Sequence, residues 1–142
     1  MTMSECIDVL NRCEYGFLGT VNEDGSPYVV PVNYVYYEGC IVFHTALEGH
    51  KMENLKGNNR VCFSVCQDAR VIPEKFSTAY TSVIAFGEAE IVDDGDVKKR
   101  LLLALSSRLA PGHPMPCDDE DIKRTGVVRI RVRHLSGKKR SE

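Results

Sequence analysis

Apolar residues follow two different rhythms along this chain. Near its start Cys6, Val9, Leu10 and Cys13 recur at the helical period, and Ser4 is placed to cap a short helix that runs to about Cys13. Beyond it the pattern is that of strands. Tyr15 to Val21, the turn residues Asn22-Glu23-Asp24-Gly25, and the long apolar and aromatic run Pro27 to Tyr37 predict a hairpin. Pro31 cannot donate a ladder hydrogen bond, so the second strand is expected to be bulged or edge-facing there, leaving nearby backbone groups open to a ligand. Glu38-Gly39 then turns the chain into a third strand, Cys40 to Thr45.

The second half continues the alternation of strands with short helices. Leu47-Glu48-Gly49-His50-Lys51 leads into a helix carrying Met52 and Leu55 and stopping at Gly57-Asn58-Asn59. Val61 to Cys66 is a strand, residues 68–77 form a connection around Pro73, and Thr78 to Val92 is a long strand with a bend or bulge at Gly87. Asp93-Asp94-Gly95-Asp96 opens a helix to about Leu109, acidic at its positive end. A Pro- and Asp-rich loop spans residues 110–121. In the last strand, Thr125 to His134, Val128, Ile130 and Val132 alternate with Arg129, Arg131 and Arg133. Five or six antiparallel strands with three helices around one core favour a small closed or split barrel, because closure removes unpaired edges.

Composition narrows this picture. With 142 residues, 43% of them apolar and 27% charged, residues 1–142 make a single domain. A large cofactor must therefore share that core or sit at a subunit interface. The formal net charge of −2 provides no general attraction to nucleic acid or an anionic membrane. No apolar run reaches the length of a membrane span, and Met1 to Leu10 has no secretory pattern, so a cytoplasmic protein is expected. The 6 cysteines then read as thiols. Cys62 and Cys66 lie about 13 Å apart along a strand, beyond the roughly 7 Å a disulfide spans, and are expected in the core. Cys117 stands alone in the Pro-rich loop. No pair has C-x-x-C spacing, and no metal site is predicted.

Three segments carry candidate chemistry. Phe43-His44-Thr45 to Gly49-His50-Lys51 runs from a strand end into a helix N-terminus, where unpaired N–H groups, a flexible glycine, a hydroxyl and an ammonium suit a phosphate monoester. A solvated loop with a helix cap explains the same residues more plainly. His44 shares a strand face with Val42, so a half-buried histidine bonded to a carbonyl stands beside a catalytic or ligand role. Tyr80 and Ser82 share one face, with Val83 on the other; they could flank and hydrogen-bond a planar heterocycle or simply form a polar strand face. The basic C-terminus, with its three strand arginines, reads as a solvated face paired with acidic neighbours such as Asp118 to Asp121, and Ser136-Gly137-Lys138 as a turn.

Pro31-Val32-Asn33-Tyr34, the run from Phe43 to Leu55, Phe76 to Gly87, and Leu135 to Arg140 together resemble the nitroimidazole-resistance branch of the pyridoxamine 5′-phosphate oxidase-like FMN-binding split barrels. The resemblance spans nearly the whole chain in order. It implies a six-stranded antiparallel split β-barrel that forms a homodimer, with two FMN molecules at the subunit interface. On the matching positions, Thr45 and Lys51 would hold the FMN phosphate with the backbone at Gly49 and His50. Main-chain groups of Val30, Pro31 and Val32 would line the isoalloxazine, Tyr80, Ser82 and Val83 would complete the pocket, and Lys138 would approach from the C-terminal segment. His44 matches a histidine linked to activity in that branch and also lies in the cofactor site. The implied function is an FMN-dependent oxidoreductase of the nitroreductase type, passing electrons from NAD(P)H or another reductant to small electron-poor acceptors. The alternative is a non-enzymatic module that sequesters flavin or haem, with His44 or His50 as axial ligand. Pyridoxamine phosphate oxidases carry a C-terminal tryptophan and an Arg-x-His motif; this chain has no tryptophan, so vitamin B6 oxidase activity is not expected.

Overall fold

The computed structural model describes residues 1–113 and 118–141, leaving Cys117 and the centre of the Pro-rich loop outside the described residues. Helix α1 (Met3–Arg12) is capped by Thr2 rather than Ser4: the Thr2 hydroxyl accepts from the Glu5 N–H at 3.1 Å. Capping from one residue earlier still leaves Cys6, Val9 and Leu10 on the buried face, so the periodicity survives the shift. The hairpin β1 (Tyr15–Val21) and β2 (Pro27–Asn33) follows, then β3 (Val35–Tyr37) and β4 (Cys40–Ala46). Helix α2 (His50–Gly57) leads into β5 (Arg60–Ile72), which a 3-10 turn at Pro73–Lys75 joins to β6 (Ser77–Ile91). Helices α3 (Gly95–Leu109) and α4 (Asp119–Arg124) precede β7 (Thr125–Arg140).

The sheet has 7 strands in the order β2-β1-β5-β6-β7-β4-β3, every pair antiparallel. The extra strand arises because the predicted run 27–37 breaks at Tyr34. Its two halves then lie on opposite edges of the sheet, joined only by that residue, so the sheet must curl until its edges nearly meet. The result is a split barrel. Tyr34 holds the split together from inside: its ring is fully buried against Phe63, centroids 4.9 Å apart, and its hydroxyl donates to the Leu10 carbonyl at 2.6 Å. Pro31 lies in register opposite Phe17 in an edge strand without a bulge.

The split can be located from register. Val35, Tyr36 and Tyr37 pair with Val42, Ile41 and Cys40. Continuing that register would set Val32 opposite Thr45 and Asn33 opposite His44, but the chain leaves β4 at Tyr34 and β2 pairs with β1 instead. The outer edges of β2 and of residues 44–46 therefore form two facing lips.

Two apolar clusters stabilise this arrangement, each large side chain contributing about 1.5–3 kcal/mol. The barrel interior holds Leu18, Phe43, Phe63, Val83, Val128 and Ile130, with α1 and α2 closing it through Leu10, Met52 and Leu55. A second cluster, Val42, Val92, Val127 and Ile122 with Leu101, Leu102 and Leu105, fixes α3 and α4 to the outer face. The strands prove longer than their patterns. Residues 68–72, predicted as connection, extend β5 past an irregularity between Gln67 and Arg70, and Ser136-Gly137-Lys138, read as a turn, continues β7 alongside β6. Gly87 lies at the predicted β6 bulge, where a Cβ would collide with the Arg131 carbonyl. Cys66 is exposed and Cys62 half-buried, because Val61, Phe63 and Val65 take the inward positions of β5 and the cysteines fall between them.

Candidate functional site

The split places the first group of predicted residues together. Thr45 takes the inward parity of Phe43 at the end of β4, and its hydroxyl accepts from Lys51 Nζ at 2.7 Å. Between them the chain turns into α2 through Gly49, whose φ of 143° is open only to glycine without strain. No side chain caps this helix, and its first internal bond is Glu53 N–H to the Gly49 carbonyl at 3.0 Å. The N–H groups of His50, Lys51 and Met52 thus have no partner among the described residues, beside a half-buried ammonium and a hydroxyl. That is the donor set of a phosphate site. Across the split lies the free edge of β2, where Val30 and Val32 pack inward and Pro31 is exposed.

The His50 ring turns away from this cradle. It stacks on Tyr28 at 4.0 Å and 2°, and its Nε2 lies 2.7 Å from Asn22 Oδ1. Asn22 Nδ2 donates to Ser26 Oγ, so its oxygen accepts from both His50 and Asn54, and His50 carries its proton on Nε2. Asn54, buried between Met52 and Leu55, also donates to the buried Thr20 hydroxyl at 3.0 Å. This network ties α2 to the β1–β2 hairpin and was not predicted. Its signal was the four-residue spacing of His50 and Asn54, which puts both on one helix face.

The half-buried, carbonyl-bonded reading of His44 does not hold. It occupies the outward face it shares with Val42, but the cluster that buries Val42 does not extend over it, so it is exposed and makes no hydrogen bond among the described residues. It stands on the lip of the split, one residue from Thr45.

The remaining predicted residues lie elsewhere. Tyr80 and Ser82 are on the outer face of β6, opposite Arg140 and Lys138, while Val83 points into the core. Thr45 pairs beside Gly126 at the start of β7 and Ser82 beside Lys138 near its end, so roughly 40 Å of strand separates the two groups. They do not form one pocket within a chain. The outer face between them is apolar and open: Tyr15, Phe17, Val29, Ile84 and Phe86 are all exposed, and a groove of about 1020 Å³ runs past Phe17, Val29, Cys62 and Phe86. Burial pushes the Cys62 thiol up from its ordinary pKa, keeping it protonated.

The strand arginines are paired, but not with residues 118–121 as predicted. Arg129 forms a bidentate pair with Glu90, Nε to Oε2 at 3.2 Å and Nη2 to Oε1 at 3.0 Å, Arg131 reaches the same carboxylate at 3.2 Å, and Arg133 meets Glu88 at 3.0 Å. Cross-strand glutamates on β6 take the place of α4 as partners, and the two carboxylates offset two of the three charges on this face.

The sequence profile of the pyridoxamine 5′-phosphate oxidase family matches residues 2–139. No curated protein matches the sequence. Among solved structures, a candidate 5-nitroimidazole antibiotic resistance protein from Bacteroides thetaiotaomicron is 23% identical with a TM-score of 0.85, covering 96% of this chain and 82% of its own. An FAD and haem binding protein from Mycobacterium smegmatis is 19% identical with a TM-score of 0.88, covering 99% and 72%. An FAD-binding protein from Mesorhizobium loti is 24% identical with a TM-score of 0.75, covering 99% and 96%.

Proposed function

The chain belongs to the pyridoxamine 5′-phosphate oxidase family, and from that premise and the geometry of its split we propose that it is an FMN-binding flavoprotein that reduces small electron-poor acceptors as a homodimer. The observation that carries this reading is the Thr45–Lys51 pair, 2.7 Å apart beside the uncapped N-terminus of α2. FMN fits these donors because its terminal phosphate is a dianionic monoester, which the ammonium, the hydroxyl and the backbone N–H groups together neutralise and bind. The free edge of β2 offers main-chain groups to the ring across the split.

A second copy resolves the separation of the predicted residues. Tyr80, Ser82 and Lys138 cannot reach a mononucleotide held by Thr45 and Lys51 of their own chain, but the exposed apolar face around Phe17, Val29 and Phe86 is suited to pairing two chains. The half-site of one copy would then complete the cradle of the other.

Held by Thr45, Lys51 and the N-terminus of α2, a flavin would supply two-electron redox chemistry, and reduction of a nitro group by two electrons and two protons from a nicotinamide donor and solvent would yield a nitroso group and water. The chain's own residues bind the phosphate, exclude water from the ring and, at His44, present an exposed imidazole on the lip of the split. The resemblance to the Bacteroides resistance protein supports a nitroaromatic acceptor. The namesake oxidation of the family is not proposed, since the chain has no tryptophan.

The Mycobacterium neighbour supports a second reading, a flavin- or haem-binding module without turnover. His50 is poorly suited to haem ligation, its Nε2 being bonded to Asn22 and its ring to Tyr28. An absorption spectrum of protein incubated with FMN, then mixed with NADH or NADPH and a nitroimidazole, tests both. Bound flavin bleached by the donor and restored by the acceptor is expected; bound flavin that no donor reduces supports the second reading, and a colourless protein overturns both.

A further inference from the structure

Phe76 is 99% exposed, against 68% for Val71, the next most exposed of the described large apolar side chains. Its backbone is left-handed, φ 51° and ψ 47°, a conformation that costs a bulky residue about 1–2 kcal/mol and costs glycine nothing. The turn itself, closed by the Phe76 N–H to the Pro73 carbonyl at 3.1 Å, would form with any non-proline residue there. Neither packing nor turn geometry within the chain accounts for a phenylalanine at this position.

Its placement indicates what covers it. Strand β7 ends at Arg140, opposite Tyr80, so beyond that level only Arg70–Ile72 and Ser77–Ala79 remain paired, and the hairpin projects past the sheet. One face of this arm is held, with Ala79 at its base and Ile72 in the pair next to the turn both buried. Above the irregularity at Gln67 and Arg70, where Asp68 has φ 54°, the arm is redirected relative to the sheet. The same strand carries Tyr80 and Ser82, so Phe76 travels with the half-site that serves the other copy. Lys75 stands beside it, next to Glu74 in the same turn, and Lys139 and Arg140 lie at the adjoining strand end opposite Thr81 and Tyr80.

We infer that Phe76 is a substrate-stacking residue acting in trans: the tip of the β5–β6 hairpin of one copy lays its ring against a planar, electron-poor aromatic acceptor at the flavin held by Thr45 and Lys51 of the other. This rests on the dimeric flavoprotein reading above. An electron-poor ring is favourable partner chemistry for a phenyl face, and the exposed phenyl gives up its contact with water on stacking.

The test compares wild-type protein with Phe76→Ala and Phe76→Trp, using FMN, NADH and a nitroimidazole. In Phe76→Ala, melting temperature, dimer dissociation and FMN affinity stay unchanged while KM for the nitroimidazole rises about tenfold; Phe76→Trp restores it. Coexpression of Phe76→Ala with Lys51→Ala places both lesions in one site of each mixed dimer and leaves the other site intact, so with nitroimidazole well below KM and FMN too dilute to load Lys51→Ala sites, the rate rises above that of either variant alone to about a quarter of wild type. An unchanged KM with normal FMN binding overturns the inference alone, as does a failure of the mixed dimers to recover activity. Weakened dimerisation in Phe76→Ala would make the ring a subunit contact instead. If wild-type protein binds no FMN, the flavoprotein reading fails and this inference fails with it.

Discussion

An ammonium 2.7 Å from a hydroxyl, next to three helix N–H groups without a partner among the described residues, is a local concentration of positive charge that favours an anion. Lys51 contributes the only full charge among these donors. Lys51→Ala is therefore expected to weaken FMN binding by about 1–3 kcal/mol, measured by fluorescence titration, with the fold intact because Lys51 is not part of either apolar cluster. Tyr34 makes a separate prediction about pH. Burial raises its phenol above the ordinary value of 10.0, so above that pH the unfolded chain loses this proton while the folded chain keeps it. Stability should fall as pH rises beyond about 10, and Tyr34→Phe should fall less steeply over the same range in thermal melts, though starting lower by about 1–2 kcal/mol for the lost hydrogen bond to Leu10.

At the scale of elements, the long strands depend on where they bend. Gly87 allows β6 to pass close to the Arg131 carbonyl, and Gly87→Ala should cost about 1–3 kcal/mol in denaturant unfolding because backbone must move to admit the methyl. This bulge was legible in the sequence, as were the β1–β2 hairpin, the acidic Asp93–Asp96 opening of α3 and the Gly49–Lys51 entry to α2, since each rests on local residue chemistry. What could not be read was decided by distant partners. Residues 68–72 and 135–140 carry no clean alternation, yet they pair as strands because β6 runs between them and supplies both ladders. The break at Tyr34 was equally invisible: a tyrosine in an aromatic run gives no sign that it will turn inward to bond Leu10 and open the barrel. His44 was placed on the correct face, but its exposure depends on how far α3 and α4 extend over the sheet.

For the molecule as a whole, shortness is the governing fact. A chain of 142 residues spends its interior on side chains, and the residues suited to a cofactor lie on the lips of the split and on the outer face, roughly 40 Å of strand apart. Pairing through the exposed apolar face reconciles these positions. Phe17→Asp combined with Val29→Asp, at side chains 48% and 61% exposed, should convert a dimer to a folded monomer by light scattering and abolish flavin binding without touching the phosphate cradle. The measurement that bears most directly on the central claim is an FMN titration of the purified protein by absorbance, with the mass of the coloured species determined in the same sample. One FMN per chain on a particle of two chains, with a raised melting temperature, is the predicted result; a protein that stays colourless with an unchanged melting temperature would contradict it.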